Sequence, residues 1–266
     1  MNSSRTPQLS LAVLAFTWSP SLLAQAAEEP ASSALRPLSP DRPDVTESPN
    51  TVDAGHFQME ADIARVTRDE GLTSYGFAHT NLKFGLAHFW DVQLVVESLV
   101  GLEGPDGYDW GYGDTTLRTK LNVFGNDAGP VALAVMPWVK FPTAGSRGNE
   151  KVEGGLIVPL GLDLPAGFEC GLMAEGDWMA NEANTDYHLE ILNSAVLGHD
   201  LVGPLGAYVE AIGVHSTEPG SQYALSAAVG FTYDIDGWLQ PDAGVVVGLT
   251  EAAEDVSPFV GLSLKL

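Results

Sequence analysis

Serine and histidine side chains that could act as a nucleophile and a general base occur together twice in the second half of the chain. His188 and Ser194 share one face of a predicted strand with Glu190, but six residues of extended chain place them roughly 20 Å apart. His215 and Ser216 are adjacent, so on a strand they point to opposite faces. Because a hydroxyl nucleophile needs a base within hydrogen-bond reach, neither pair predicts a hydrolase, and we expect no enzymatic activity.

The histidines and the single cysteine do not have the spacing of a metal site. His56, His79 and His188 fall on the first, second and eighth predicted strands, and no HExxH, CxxC or paired-histidine motif occurs. Cys170 cannot form an internal disulfide, and it is predicted to be a small apolar residue on an outer strand face. We therefore expect no metal ion and no other cofactor.

Charged residues in the middle of alternating segments are the most informative feature of the chain. In residues 114–124, DTTLRTKLNVF, Arg118 and Lys120 share one side with Asp114, whereas Leu117 and Leu121 lie on the other. Successive side chains of a strand point to opposite faces, while a helix would scatter both sets around its circumference. The segment is therefore predicted to be a strand with one apolar face and one charged face.

Segments of this kind recur to the end of the chain, separated by turn residues. Alternating segments of about ten residues are the signature of a barrel that spans an outer membrane. The sequence predicts an all-β fold, a transmembrane antiparallel up-and-down β-barrel of about 12 strands. The predicted strands are 56–66, 76–87, 90–101, 113–124, 130–141, 151–162, 168–179, 187–197, 204–215, 222–233, 239–249 and 256–266.

The cost of charge in lipid sets the direction of the polar faces. A cation on the lipid face costs about 2–4 kcal/mol at the membrane midplane, so mid-strand charges are predicted to point into the lumen. The predicted lumen-lining residues are Glu60, Asp62, Lys83, Glu97, Arg118, Lys120, Lys140, Glu175, Asp177 and Glu210.

The predicted lumen is electrically asymmetric. From Val152 to Leu264 the chain has seventeen acidic residues and no Lys or Arg, whereas the predicted second, fourth and fifth strands carry a basic stripe. Two roles stay open for this arrangement. The charges could form ion pairs that fill a small barrel, or they could produce a transverse field that orders solutes.

The connections predict how the barrel is oriented. If the first strand starts in the periplasm, the outer loops should be longer than the periplasmic turns. The predicted outer loops at 102–112 and 142–150 are longer than most of the predicted periplasmic turns, and an even strand count returns the C-terminus to the periplasm.

The first 54 residues differ in composition from the rest. Arg5, the apolar run 9–18 and Ala24-Gln25-Ala26 predict a secretory signal peptide at 1–26. Residues 27–54 contain five prolines and are predicted to be an extended periplasmic leader. Residues 55–266 are assigned to the barrel, and the mature protein is expected in the bacterial outer membrane.

Net charge restricts the partners. The chain has a formal net charge of −23, and the predicted signal peptide removes one base and no acid. Nucleic acid is excluded as a partner because phosphate binding needs a basic surface. The expected partners are outer-membrane lipid and lipopolysaccharide, the barrel-assembly machinery and a small-molecule solute.

The stretch RPDVTESPNTVDAGHFQME, which begins at residue 42, resembles a large family of bacterial outer-membrane barrel transporters named for the MetA pathway of phenol degradation. The motif residues are Arg42, Pro43, Asp44, Glu47, Ser48, Pro49, Gly55, His56 and Phe57. The resemblance extends over the mature chain from about Asp41, as leader plus barrel. It implies an outer-membrane transporter, with the leader as a strap at the periplasmic mouth of the barrel.

The leading functional hypothesis is a channel for passive uptake of small, aromatic or other hydrophobic solutes. A closed structural barrel, or one that binds partners through its loops, is the alternative. An outer-membrane lipid hydrolase ranks below both, since such twelve-stranded enzymes carry their Ser and His on the outer face of a strand. A barrel for acidic oligosaccharides is disfavoured because only Arg118 is predicted in mid-barrel.

Overall fold

The computed structural model describes residues 35–266, except residues 106, 128, 146, 147, 149 and 182. The predicted signal peptide at 1–26 and the start of the leader therefore lie outside the described residues. The strands of the described part are β1 (Phe57–Asp69), β2 (Leu72–Ala87), β3 (Trp90–Gly104), β4 (Gly107–Gly111), β5 (Thr115–Phe124), β6 (Val131–Phe141), β7 (Glu153–Leu164), β8 (Phe168–Ala180), β9 (Tyr187–Val202), β10 (Leu205–Ser216), β11 (Ala224–Tyr233), β12 (Leu239–Gly248) and β13 (Val256–Lys265).

Twelve of these strands close into a ring. β1 pairs with both β2 and β13, β2 pairs with β3, β3 pairs with β5, and each later strand pairs with the next, always antiparallel. Among the described strands, β4 pairs with the C-terminal part of β3 alone, from Val100 to Gly104. The prediction of an up-and-down barrel of about 12 strands is confirmed. Within the described part of the chain, no helix is long and apolar enough to cross a membrane.

The two faces of the strands follow the predicted alternation. On the outside, large apolar side chains such as Phe57, Ile63 and Leu117 are about half exposed. On the inside, charged side chains are buried, and Lys83 and Lys120 are at most 1% exposed. The barrel is therefore apolar outside and polar inside, which is the arrangement of a transmembrane barrel.

The predicted connections at 67–75 and 102–112 are mostly strand in the structure, because the strands are longer than the alternation alone indicated. β1 and β2 continue to a two-residue turn, in which Glu70 and Gly71 both have positive φ, 48° and 85°. Two consecutive positive φ values are typical of the type I′ turn, whose twist matches the flanking strands. The predicted loop 102–112 is likewise mostly hairpin, because β3 runs to Gly104 and pairs there with β4.

The ends of the barrel differ in their connections. One end, here named the short-turn end, carries the turns at 88–89, 125–130, 165–167, 203–204 and 234–238. The other, the long-loop end, carries the connections at 142–152, 181–186, 217–223 and 249–255, together with the short turn at 70–71. The leader joins β1 at the short-turn end.

Candidate functional site

Residues 36–53, here named the leader segment, lie inside the barrel against its lumen-facing side chains. Proline residues at 37, 40, 43 and 49 lack an N–H group, so the segment cannot join a strand ladder. Side chains of the barrel satisfy its backbone instead. The N–H of Asp41 donates to Glu60 at 3.1 Å, and the N–H of Val52 donates to Asp91 at 3.0 Å.

The basic side chains of β2 and β5 converge on the leader segment. The carboxylate of Asp41 forms ion pairs with Lys83 of β2 and Lys120 of β5, and all three side chains are buried. Lys83 also pairs with Glu60 of β1. A buried charge is costly unless it is paired and hydrogen-bonded, and Asp41 is the shared counter-ion of two lysines from different strands inside the barrel.

The cations decide the protonation state of Asp41. Burial alone would raise the pKa of this carboxyl, but the attraction of Lys120, Lys83 and Arg118 outweighs burial and holds the pKa far below its usual range. Asp41 is therefore ionised wherever the barrel is folded near neutral pH.

Arg118 binds a second carboxylate of the leader segment. Its Nη1 lies 2.6 Å from Oε1 of Glu47, and its Nε and Nη2 donate to Oε1 of Gln93 at 3.1 and 2.9 Å. The guanidinium thus contacts the leader on one side and β3 on the other. The planar fork of arginine suits this arrangement, because several of its donors are used at once.

The reverse pairing, a leader cation on barrel carboxylates, occurs where the barrel closes. Arg42 lies 2.7 Å from Asp62 of β1 and 2.7 Å from Asp242 of β12. Its guanidinium occupies the space above Gly261 of β13, where an added Cβ would lie 2.0 Å from Nη2. Arg42 therefore bridges the first strand to one of the last, and Gly261 leaves room for it.

Two further contacts hold the segment on the opposite wall and at the short-turn end. Glu210 of β10 accepts hydrogen bonds from the backbone N–H groups of Val45 and Thr46 at 3.0 and 2.8 Å. At the mouth, Asp53 pairs with Arg36 and with Lys265 of β13, each at 2.9 Å.

The wall formed by β7–β10 carries carboxylates that the leader segment leaves without cations. Glu175 and Asp177 both accept from Nε1 of Trp138, at 3.0 and 3.1 Å. Glu190 contacts His188 at 3.1 Å. Within the described part of the chain, neither Lys nor Arg forms an ion pair with Glu175, Asp177, Glu190 or Glu210.

Cavities lie on both sides of the leader segment. The larger, about 620 Å³, opens towards the short-turn end, and the smaller, about 140 Å³, lies towards β2 and β5. Arg42, Pro43, Asp44 and Glu47 line both cavities. The leader segment therefore fills part of the lumen and divides the remaining space.

The sequence profile of a family described as "Putative MetA-pathway of phenol degradation" matches residues 40–266. The chain belongs to this family. A sequence comparison with curated proteins gave no match.

Solved structures show the same fold at low sequence identity. An outer-membrane channel from Pseudomonas putida F1 is 13% identical, with a TM-score of 0.61 over 82% of this chain and 97% of that one. The NanC porin is 10% identical, with a TM-score of 0.56 over 79% of this chain and 100% of that one. At these identities the likeness shows the fold of outer-membrane channels and no more.

The family motif lies deeper than a strap at the mouth of the barrel. Its first half, from Arg42 to Pro49, reaches side chains in the middle of β1, β5 and β10, and the N–H of Ser48 donates to Asp41 at 3.0 Å. Its second half begins the barrel: Gly55 donates to the carbonyl of Gly85 at 2.8 Å, and His56 leads into β1 at Phe57.

The predicted lumen residues fall into those that contact the leader segment and those that do not. Glu60, Asp62, Lys83, Arg118, Lys120 and Glu210 all meet the leader segment. Lys140 pairs with Glu153, and Glu97 accepts from the N–H of Asp114 at 3.1 Å, both away from it. Sequence reasoning missed Asp41 and Thr46 as partners of the barrel wall. A count of lumen cations against leader carboxylates could have indicated Asp41, but it gives no signal for the uncharged Thr46.

The candidate nucleophile and base are engaged elsewhere. Oγ of Ser194 lies 2.7 Å from Oγ1 of Thr46, and Nε2 of His188 lies 3.1 Å from Glu190. The two side chains thus contact other partners and not each other.

Proposed function

We propose that this protein is a channel in the bacterial outer membrane through which small aromatic or other hydrophobic solutes diffuse passively. The observation that carries the proposal is the lumen itself, which the leader segment fills only in part, with cavities of about 620 and 140 Å³ on its two sides. Membership of the family and the channel-like fold support it. Passive diffusion needs no energy source and no cofactor.

Apolar side chains in the wall of the larger cavity support a hydrophobic solute. Val52, Ala132, Val196 and Tyr208 are among the residues that line it. A solute with an aromatic ring can lie against such a surface, since rings make favourable contacts with one another and with apolar side chains.

The ion pairs of the leader segment support a preference for cations in the remaining lumen. Lys83, Lys120 and Arg118 are neutralised by Asp41, Glu60 and Glu47. Glu175, Asp177 and Glu190 have no Lys or Arg partner among the described residues, so the wall formed by β8 and β9 carries more acidic than basic groups. A cleft lined by one sign of charge concentrates ions of the opposite sign.

We infer no catalytic role, in line with the separate engagement of Ser194 and His188. The proposed partners are outer-membrane lipid and lipopolysaccharide around the barrel and the assembly machinery that inserts it. The exposed apolar side chains of the outer face support the first of these.

The deciding experiment is single-channel recording of the refolded protein in a planar bilayer, with reversal potentials measured across a salt gradient. Stable conductance steps with a reversal potential on the cation side are expected. Circular dichroism and heat-dependent gel migration should first establish that the protein is folded. Silence from folded protein would contradict the channel and favour a closed structural barrel.

A further inference from the structure

Asp44 is the carboxylate of the leader segment that has no cation. Its neighbours Asp41 and Glu47 pair with barrel cations, whereas among the described residues no ion pair includes Asp44. Burial and then the nearby charge of Glu210 raise the pKa of Asp44 well above its usual value. Asp44 is therefore a lumen carboxylate without a counter-ion in the described part of the chain, and a ligand cation would supply one.

A second, independent observation concerns the hydroxyl of a buried tyrosine. The side chain of Tyr208 on β10 is 7% exposed, and its hydroxyl has no hydrogen-bond partner. Buried tyrosine hydroxyls usually find a partner, because an unmade hydrogen bond in the interior is costly. Tyr208 and Asp44 line the same cavity.

The surface next to these two polar groups is apolar. The ring of Tyr208 packs in a cluster with Ile212 and Ala228, against which Val196 also packs. Val196 lines the same cavity of about 620 Å³. This volume falls within the range of roughly 300–1,000 Å³ that is usual for small-molecule sites.

We propose that Asp44 and Tyr208 form a subsite for an organic ammonium ion. Its N–H groups donate to the carboxylate of Asp44 and to the phenolic oxygen of Tyr208, and its apolar part lies against Val196 and the tyrosine ring. The inference rests on the proposed channel and names one class of its solutes.

Charge and shape exclude the other simple ligands. An anion would be repelled by the carboxylates of Asp44 and Glu210, which lie close enough to interact. A bare metal ion would need several ligands, and the described residues contain no group of three side chains suited to hold one. A neutral alcohol could use the hydroxyl but would leave the carboxylate without a counter-ion.

The test is calorimetric titration of the refolded full chain in detergent with three probes of similar size: benzylammonium, benzyl alcohol and benzenesulfonate. Benzylammonium should bind saturably, and the neutral and anionic probes should bind about tenfold more weakly or not at all. Loss of a charge-assisted hydrogen bond is expected to weaken binding by about tenfold or more, so Asp44→Asn should reduce the affinity for benzylammonium by that factor.

Tyr208→Phe keeps the result interpretable if Asp44→Asn disturbs the leader segment. The hydroxyl makes no hydrogen bond in the folded protein, so its removal should leave the melting temperature unchanged or higher. Affinity for benzylammonium should nevertheless fall by about threefold to tenfold. Asp200→Asn is the matched control, since Asp200 is exposed on the same cavity and should change the affinity by less than about twofold.

The outcomes separate this subsite from the channel. Equal binding of all three probes, or wild-type affinity in both variants, would overturn the subsite even if the protein conducts. Saturable benzylammonium binding that both variants weaken would establish the subsite, even if the protein showed no conductance in bilayers. That result would contradict only the proposed channel.

Discussion

Two walls of the lumen differ in how their charged side chains are paired. Along β2 and β5, the cations Lys83, Lys120 and Arg118 are buried and each meets a carboxylate of the leader segment. Along β8 and β9, Asp177 and Glu190 have hydrogen-bond partners but no cation among the described residues. Of these two walls, only the one formed by β2 and β5 receives counter-ions from the leader segment, whereas Asp177 and Glu190 have no Lys or Arg partner among the described residues.

The largest effect is expected where a counter-ion of the paired wall is removed. Asp41→Ala leaves Lys120 buried without a carboxylate and Lys83 with only Glu60. Breaking a buried ion pair from one side costs about 3–5 kcal/mol, and the free energy of unfolding in detergent, measured by urea titration with tryptophan fluorescence, should fall by that amount. Glu251→Ala, on an exposed loop, is the control and should stay within about 0.5 kcal/mol. A loss below about 1 kcal/mol for Asp41→Ala would show that Asp41 is not needed as the counter-ion of the buried lysines.

A smaller effect of the same origin is expected from pH. Folding depresses the pKa of Asp41, so the contribution of Asp41 to stability is complete above its unfolded pKa of about 3.9 and is lost as the pH falls below that value. The urea midpoint should therefore fall between pH 5 and pH 3. The Asp41→Asn variant should show a shallower fall, and an identical slope in both proteins would assign the pH dependence to other groups.

The smallest effect is expected on the unpaired wall. Glu190→Gln removes a half-buried charge that no lysine or arginine neutralises, so folding stability should change by less than about 1 kcal/mol. The ratio of cation to anion permeability should fall by about twofold, because part of the field that concentrates cations is gone. Reversal potentials measure it, with Glu251→Gln as a loop control. A strong loss of stability here would erase the difference between the walls.

The features of the fold and site that could be predicted from the sequence are those that depend on residues close together in the chain. The alternation around Arg118 and Lys120 was sufficient for the strands, the barrel and the inward direction of the charges, because side-chain direction in a strand is a local property and charge is costly in lipid. The long hairpin at Glu70-Gly71 was missed, since residues beyond the membrane no longer need to alternate.

The barrel and the unequal charge of its two halves follow from the alternation and composition of the chain. The contacts of Asp41 with Lys83 and Lys120 do not, nor does the bridge that Arg42 forms between Asp62 and Asp242, which lies 200 residues after Arg42 in the chain. They could not be predicted because prolines keep the leader segment out of any ladder. Its position is therefore set by ion pairs with side chains that only the closed ring brings together.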